Sequence, residues 1–334
     1  MVNLQNEFLE FHDAIKLSFE NKDLRDKREI LLKRLTENIS EDAPGFEHFN
    51  QGSYAMHTGI KPSNGDYDID VGLTFSLTRE DYPDPVDVKK WVYDALVNHT
   101  KKVEIKRSCV TVTYQEDGED AFHVDFACYA NEEEQLYIAK GKEHSDSEHR
   151  YWEYSEPKEL IELLNSRFDN KEDQSQFRRV IRYLKKWKDK HFAVSGNEAP
   201  TGIALTALAY ERFTASYQTN AVTGKRTYDD FNAFKTITEK IKEAFVYTYD
   251  AKANQWYHSI SQALFVEPGN NLFEKMTPTQ QENFYNQVCL MLDKLRESEG
   301  KTKRSEACSI MVEIFGDDFP VKADRSYVGH SESA

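Results

Sequence analysis

Several features are missing from this 334-residue sequence. No apolar run approaches the roughly 20 residues needed to cross a bilayer, and mean hydropathy is −0.74. The opening MVNLQNEFLEFHDAIK has neither a basic n-region nor an apolar h-region, so no secretory signal is read there. An intracellular, cytoplasmic protein that makes no use of a membrane is the expectation. The four cysteines, Cys109, Cys128, Cys289 and Cys308, stand singly with no C-x-x-C. They read as free thiols rather than a disulfide framework or a zinc site. Neither G-x-G-x-x-G nor G-x-x-x-x-G-K occurs, which removes dinucleotide-binding and P-loop readings. Internal repeats and low-complexity blocks are absent too. Positive charge is in short supply, with 43 Lys and Arg against 58 Asp and Glu, a net charge of −15. Such a surface repels a phosphate backbone and disfavours a protein that coats DNA or RNA. A local basic groove, or nucleotides bridged through metal, stays compatible.

What is present is an ordinary globular composition, 39% hydrophobic, with 20 Phe, 18 Tyr and 4 Trp to fill a core. Leu4, Phe8, Phe11, Ile15 and Phe19 recur at helical spacing, and Leu24, Leu31, Leu32 and Leu35 continue an apolar face. Ala43-Pro44-Gly45 ends that pattern, and a short strand is expected from Phe46 to Gln51. Residues 66–77 alternate strictly, with Tyr67, Ile69, Val71, Leu73 and Phe75 on one side. That is a strand with one buried face. A helix is expected around 84–98. Strands at 103–114 and 121–129 are joined across Asp117-Gly118, a strong hairpin signal. From Pro157 the pattern turns helical, over 157–168, 174–192, 201–217, 228–247, 278–298 and 302–315. The fold class is α+β. The expected divisions are a helical N-terminal spine at 1–45 that packs on the helical half, a catalytic lobe at 46–155, a helical lobe at 156–320 and a polar, mobile tail at 321–334.

The chemistry concentrates on the polar side of the 66–77 strand. Asp68 and Asp70 project from one face, about 7 Å apart at Cα. Like charges that close repel and raise each other's pKa, so a fold keeps them when a cation sits between. Mg²⁺ binds through one or two carboxylates plus substrate phosphates. Two such ions clamp both oxygens of an in-line phosphoryl displacement. In Phe122-His123-Val124-Asp125-Phe126, Asp125 is an acid on a mostly apolar strand that fits beside Asp68 and Asp70. Three acids on two neighbouring strands would form a two-metal nest. A bare D-x-D is often only a solvent-facing acidic edge. Here the strand's other face is strongly apolar, and Gly52-Ser53 closes a strand 15 residues before Asp68. Glycine lets backbone approach a phosphate, and a serine hydroxyl adds a donor. His123 and His57 read as partly buried or loop histidines.

These residues resemble a known signature. Gln51-Gly52-Ser53-Tyr54, Thr58, Asp66-Tyr67-Asp68-Ile69-Asp70-Val71 and His123-Val124-Asp125 are similar to the G-S…D-x-D…D motif of polymerase-β-like nucleotidyltransferases. Within that superfamily the pattern resembles the bacterial cyclic-oligonucleotide synthases (CD-NTases), related to cyclic GMP-AMP synthase and oligoadenylate synthase. Further similarity lies in Arg182–Lys188, Pro200–Leu205, Tyr151-Trp152 with Ser155–Lys158, and Val266–Asn271, so the likeness spans about residues 45–275. The resemblance implies a mixed-sheet lobe and a helical lobe with an active-site cleft between them. It implies Asp68, Asp70 and Asp125 as catalytic metal ligands for two Mg²⁺, with Mn²⁺ as a substitute, and Asp125 as a base. Gly52 and Ser53 would hold the triphosphate, with Lys185 and Thr201 also on donor phosphates. The helical wheel puts Lys185 on a basic ridge with Arg178 and Arg182, which reads as a phosphate clamp or a solvated face. Thr201 stands where many relatives carry Ser. Gly202 stands where some carry a base-stacking Tyr, which leaves Tyr151, Trp152 or Tyr154 as stacking candidates or as core.

The implied reaction joins ATP, GTP or other NTPs into a cyclic di- or trinucleotide second messenger for antiviral (anti-phage) defence. A downstream effector would sense the product, a regulatory partner protein is allowed, and neither DNA nor RNA is required. The alternatives keep the fold and change the acceptor: a linear or tRNA-end nucleotidyltransferase, or one that modifies a small molecule or protein. A catalytically dead binding module would have lost a carboxylate, and all three are present.

Overall fold

The alternation of residues 67–75 places Ile69, Val71, Leu73 and Phe75 at 0% exposure, and this strand lies inside the main sheet, paired on both sides. The structure is a computed structural model that describes residues 2–17, 22–61, 67–100, 102–116, 119–193, 198–252 and 254–324. Phe19, Asp66, the Asp117-Gly118 turn and most of the expected tail lie outside the described residues. Two compact units are present, one of residues 16–174 with 263–271, the other of residues 1–15, 175–262 and 272–334.

The first unit holds α2 (Lys22–Asn38), β1 (Phe46–Gln51), the single turn α3 (Gly52–Ala55), β2 (Tyr67–Phe75) and α4 (Pro85–Leu96). β3 (Lys102–Ile105), β4 (Val110–Glu116), β5 (Glu119–Glu132), β6 (Gln135–Lys140), β7 (Tyr151–Tyr154) and α5 (Pro157–Asn165) follow. The sheet runs β1-β2-β5-β4-β3, with β6 on the far half of β5 and β7 beyond it. β2 and β5 are parallel and the other pairs antiparallel, so the sheet is mixed. The crossover between the parallel strands carries α4, whose start is fixed by Pro85 in its first turn and by Asp84, which accepts from the Val86 amide at 2.9 Å. Val88, Val92, Ala95 and Leu96 from α4 and Leu31 and Leu35 from α2 bury against the apolar sides of β2, β4 and β5.

The second unit is helical: α1 (Gln5–Ile15), α6 (Lys171–His191, whose first turn belongs to the other unit), α7 (Gly202–Arg212), α8 (Asp230–Glu243), α9 (Pro278–Glu299) and α10 (Arg304–Phe315). Its core is aromatic. Phe8 and Phe11 of α1 pack on Tyr183 with ring centroids 5.2 and 5.5 Å away, and Phe315 and Phe319 close over them. Two hairpins interrupt the helices, β8 (Tyr217–Thr219) with β9 (Arg226–Tyr228), and β10 (Val246–Asp250) with β11 (Gln255–Ser259).

Three expectations need correction. Residues 1–45 are not one spine. α1 groups with the helical unit and α2 with the sheet unit, because Lys16 bridges to Ile60 and the Leu17 amide donates to the Gly59 carbonyl at 3.2 Å. The 103–114 strand is two strands, since the chain reverses where the Lys106 amide donates to the Cys109 carbonyl at 2.9 Å. The 201–217 helix ends at Arg212, where Phe213 turns to an extended ψ of 140° and buries its ring.

Candidate active site

β2 and β5 bring two of the three aspartates side by side. In their parallel register Asp70 lies opposite Asp125, and Asp68 opposite His123. Neighbouring strands stand about 4.8 Å apart, so Asp70 and Asp125 present adjacent carboxylates with Asp68 two residues along the same face. Asp68 is exposed, and Asp70 and Asp125 are half-buried. The three share the face without all their oxygens closing to within 4.8 Å of one another. β4 walls the other side, with buried Thr111 opposite Asp125 and buried Thr113 opposite His123. Thr113 Oγ1 meets His123 Nδ1 at 3.0 Å, which makes His123 a braced residue of this rail. The Cys109 thiol lies 3.6 Å from the Thr111 hydroxyl, and its pKa is pushed up to about 12 by burial first and then by the Asp125 charge.

Asp125 Oδ1 is buried and has no hydrogen-bond partner among the described residues. A buried carboxylate oxygen without a donor is costly, and a cation is the partner an all-oxygen donor set suits. β1 closes the other flank. Gln51 pairs with Asp70, and Gly52 then takes a left-handed φ of 66°. A Cβ at Gly52 would stand 1.8 Å from Asp70 Oδ2. Only glycine leaves the Asp70 carboxylate its place. These residues fit a divalent cation on both counts.

Ser53 is half-buried in the single turn of α3, and its carbonyl accepts from the Thr58 amide at 2.9 Å, which closes residues 53–58 into a tight loop. His57 sits in that loop with a φ of 54°.

Lys185 and Thr201 both belong to the helical unit. Lys185 Cε on α6 lies 3.5 Å from where a Cβ on Gly202 would stand, beside the first turn of α7. Thr201 caps α7, with Oγ1 accepting from the Ala204 amide at 3.2 Å, and its side chain is exposed. The basic ridge is not a solvated face. Arg182, Lys185 and Lys186 are at most 8% exposed over Trp187 at 1%. Lys186 pairs with Asp318 at 2.6 Å. The Arg182 guanidinium contacts His12 Nε2 at 3.2 Å, and its pKa is lowered to about 10 by burial first and by Arg178 next.

The stacking candidates on β7 are occupied with structure. Trp152 packs on the core and donates Nε1–H to the Tyr82 carbonyl at 2.9 Å. The Tyr151 hydroxyl accepts from Arg107 at 2.9 Å, and Tyr154 donates to Glu156. Two other features lie away from the aspartates. An open pocket of about 670 Å³ beyond the end of β2 includes Arg79, which pairs with Glu132 at 3.0 Å and stacks 3.5 Å over the Tyr137 ring. Asp146, Glu148 and His149 cluster within 4.8 Å on an exposed turn.

Comparison with known proteins agrees with this geometry. Residues 46–129, from β1 to the second half of β5, match the family described as "Cyclic GMP-AMP synthase DncV-like, nucleotidyltransferase domain". A cyclic GMP-AMP synthase of Escherichia albertii is 28% identical over 167 residues, which covers 47% of this chain and 35% of that protein. The matched stretch thus spans about a third of that relative's length. Among solved structures, Vibrio cholerae DncV cyclic AMP-GMP synthase in complex with the linear intermediate 5′ pppA(3′,5′)pG superposes with a TM-score of 0.66 at 18% identity, covering 92% of this chain and 93% of that one. The Escherichia coli MS115-1 CdnC:HORMA-deltaN complex gives 0.69 at 14% identity, over 96% and 98%. The chain shares the fold of these structures, a mixed sheet with helices. The family match assigns residues 46–129 a DncV-like nucleotidyltransferase domain, and the solved structures share the fold of the chain.

Proposed function

We propose that this protein links nucleoside triphosphates into a cyclic di- or trinucleotide and releases pyrophosphate. The observation that carries the proposal is the Asp70–Asp125 register pair, with Asp68 on the same face and Gly52 packed under the Asp70 carboxylate. Asp68, Asp70 and Asp125 would hold two Mg²⁺, which when bound neutralise the charge that develops on the triphosphate and lower the pKa of the attacking hydroxyl. Asp125 stands ready to take the proton of a 2′- or 3′-hydroxyl as that oxygen bonds to the α-phosphorus and the bond to pyrophosphate breaks. Gly52 and Ser53 bind the donor triphosphate through backbone N–H groups and the Ser53 hydroxyl. Lys185 supplies positive charge and Thr201 an O–H to donor phosphates. A second round of the same transfer closes a dinucleotide ring, and a third closes a trinucleotide ring. The linear intermediate bound to the Vibrio protein supports this stepwise order. The HORMA partner of the E. coli protein supports a regulatory protein for this one. The product would act as a cytoplasmic messenger in anti-phage (CBASS) defence. No helix among the described residues is long and apolar enough to cross a membrane.

The test incubates purified protein with all four labelled NTPs and Mg²⁺, then treats with phosphatase and reads products by mass spectrometry. A phosphatase-resistant product at a cyclic mass is expected, and it should vanish in EDTA. The folded Asp68→Asn/Asp70→Asn variant should lose at least about 10³-fold in turnover. A linear ladder, or nucleotide transferred to a small molecule or protein, would replace cyclisation by a different acceptor. Substantial turnover by the folded double variant would overturn the metal assignment.

A further inference from the structure

Four residues beyond Asp125 on the same face of β5 stands Tyr129, 2% exposed, in a small apolar cluster with Ala127, Leu136, Ile138 and Phe49. A phenylalanine would fill that cluster equally well, so the hydroxyl needs an account. It donates to Gln51 Oε1 at 2.9 Å, which ties β5 to β1 over the top of β2. The register shows how the reach is possible. Between the level of Tyr129 and the level of Gln51, Asp70 and Asp125, this face carries Phe49 on β1, Gly72 on β2 and Ala127 on β5. The Phe49 ring lies over Gly72, 5.9 Å from the Tyr129 ring, and the small Ala127 leaves the phenol room to reach Gln51.

Gln51 is the last residue of β1 and pairs with Asp70. The next residue, Gly52, takes the left-handed turn whose α-carbon abuts the Asp70 carboxylate. Any swing of Gln51 therefore moves Gly52 against Asp70. We infer that Tyr129 is a positioning residue for the candidate metal carboxylate Asp70, acting through Gln51 and the Gly52 turn; this rests on the metal-dependent reading above. The phenol suits the task because it stays protonated. Its pKa is raised, by burial first and by the Asp70 charge second, so it donates throughout the working pH range. Hydrogen-bond partners that orient a metal ligand are worth 10- to 100-fold in metal affinity in general, about the size expected here.

The test measures Mn²⁺ binding to the full chain by electron paramagnetic resonance with a non-hydrolysable ATP analogue present. Tyr129→Phe should weaken Mn²⁺ binding about tenfold and raise the metal concentration for half-maximal turnover by a similar factor. Circular dichroism and nucleotide KM at saturating metal should stay close to wild type. Gln51→Ala should weaken Mn²⁺ likewise, and the double variant should be no worse than the weaker single one, because both act through one contact. Unchanged Mn²⁺ affinity in Tyr129→Phe, or full additivity in the double variant, overturns the inference. Asp70→Asn separates the two readings. If it binds Mn²⁺ like wild type, the metal assignment and the positioning role fall together. If Asp70→Asn loses Mn²⁺ and Tyr129→Phe does not, the Tyr129 role alone falls.

Discussion

Gly52 concentrates the site's demands in one residue. Its φ of 66° costs an L-amino acid about 1 kcal/mol, and its missing Cβ is the space that Asp70 Oδ2 occupies. Gly52→Ala should therefore cut turnover by about 10²-fold, the loss that a shift of about 1 Å in a reacting group produces. Gly224 gives the control. It has a φ of 68° and nothing within 4 Å of a Cβ, so Gly224→Ala carries the backbone cost without touching the site. Equal kinetics for Gly52→Ala and Gly224→Ala would show that the contact with Asp70 has no part in the reaction. The aspartates were legible because a period of two, unlike a motif alone, says which face each carboxylate takes. Burial along α6 was not. Lys185, with Arg178 and Arg182, can be read as a solvated ridge on a helical wheel, but a wheel does not record the neighbour, Gly202, that stands against Lys185.

At the scale of elements, Lys89 shows what a helix can carry inward. A helix is expected around 84–98 from Trp91, Val92, Ala95 and Leu96, and nothing in that pattern marks Lys89 as buried. Lys89 is nevertheless 0% exposed. Its ammonium donates to the carbonyls of Lys106 at 3.0 Å and Arg107 at 3.1 Å, and to that of Gly141. It thereby clamps the β3–β4 turn and the end of β6 to α4. Burial pulls its pKa down to about 8, yet three carbonyl acceptors call for three N–H donors, so the protonated form fits the clamp. That clamp is why one strand expected over 103–114 is two, and local alternation cannot reveal a turn held from another element. Lys89→Met keeps the stem's packing and strands the Lys106 and Gly141 carbonyls, while that of Arg107 keeps the Gly141 amide at 2.9 Å, at a cost of about 2–4 kcal/mol. The melting temperature should fall by several degrees, and hydrogen exchange should quicken at 106–109 and 141. Unchanged melting and exchange would remove the clamp. No strand is expected at β6 or β7, and β8–β9 and β10–β11 fall mostly in stretches between expected helices, overlapping them only at their edges. The two hairpins bury little, so their sequences lack a clear apolar face.

At the scale of the whole molecule, the split of residues 1–45 between two units could not be seen from helical periodicity, which marks an apolar face and not its partner. The partner is named by long-range polar contacts that converge on Asp230, at the first turn of α8. Its carboxylate, 0% exposed, takes a fork from Arg179 at 2.6 and 2.8 Å and a bond from Gln176 at 3.1 Å. The Tyr183 hydroxyl lies 2.9 Å from it and 3.0 Å from the Phe8 carbonyl of α1. Gln5 of α1 accepts from the Asp230 amide at 2.7 Å, so three distant stretches of chain are fixed at one buried charge. Burial pushes the Asp230 pKa up, but the Arg179 hydrogen bonds and charge, with Gln176 and Tyr183, outweigh it and hold the carboxyl below its usual range. A depressed carboxylate contributes stability that is fully present above its unfolded pKa, about 3.9. That stability is lost as pH falls from there through the folded value. Asp230→Asn leaves Arg179 buried without its counter-charge, so at pH 7 it should destabilise the helical unit by about 3–5 kcal/mol. As pH drops below about 4, wild type should lose stability faster than Asp230→Asn, and the gap between their melting temperatures should narrow. Melting curves of both proteins from pH 7 to 3 check this. A gap that stays constant to pH 3 would mean that the Asp230 charge contributes nothing that acid can remove.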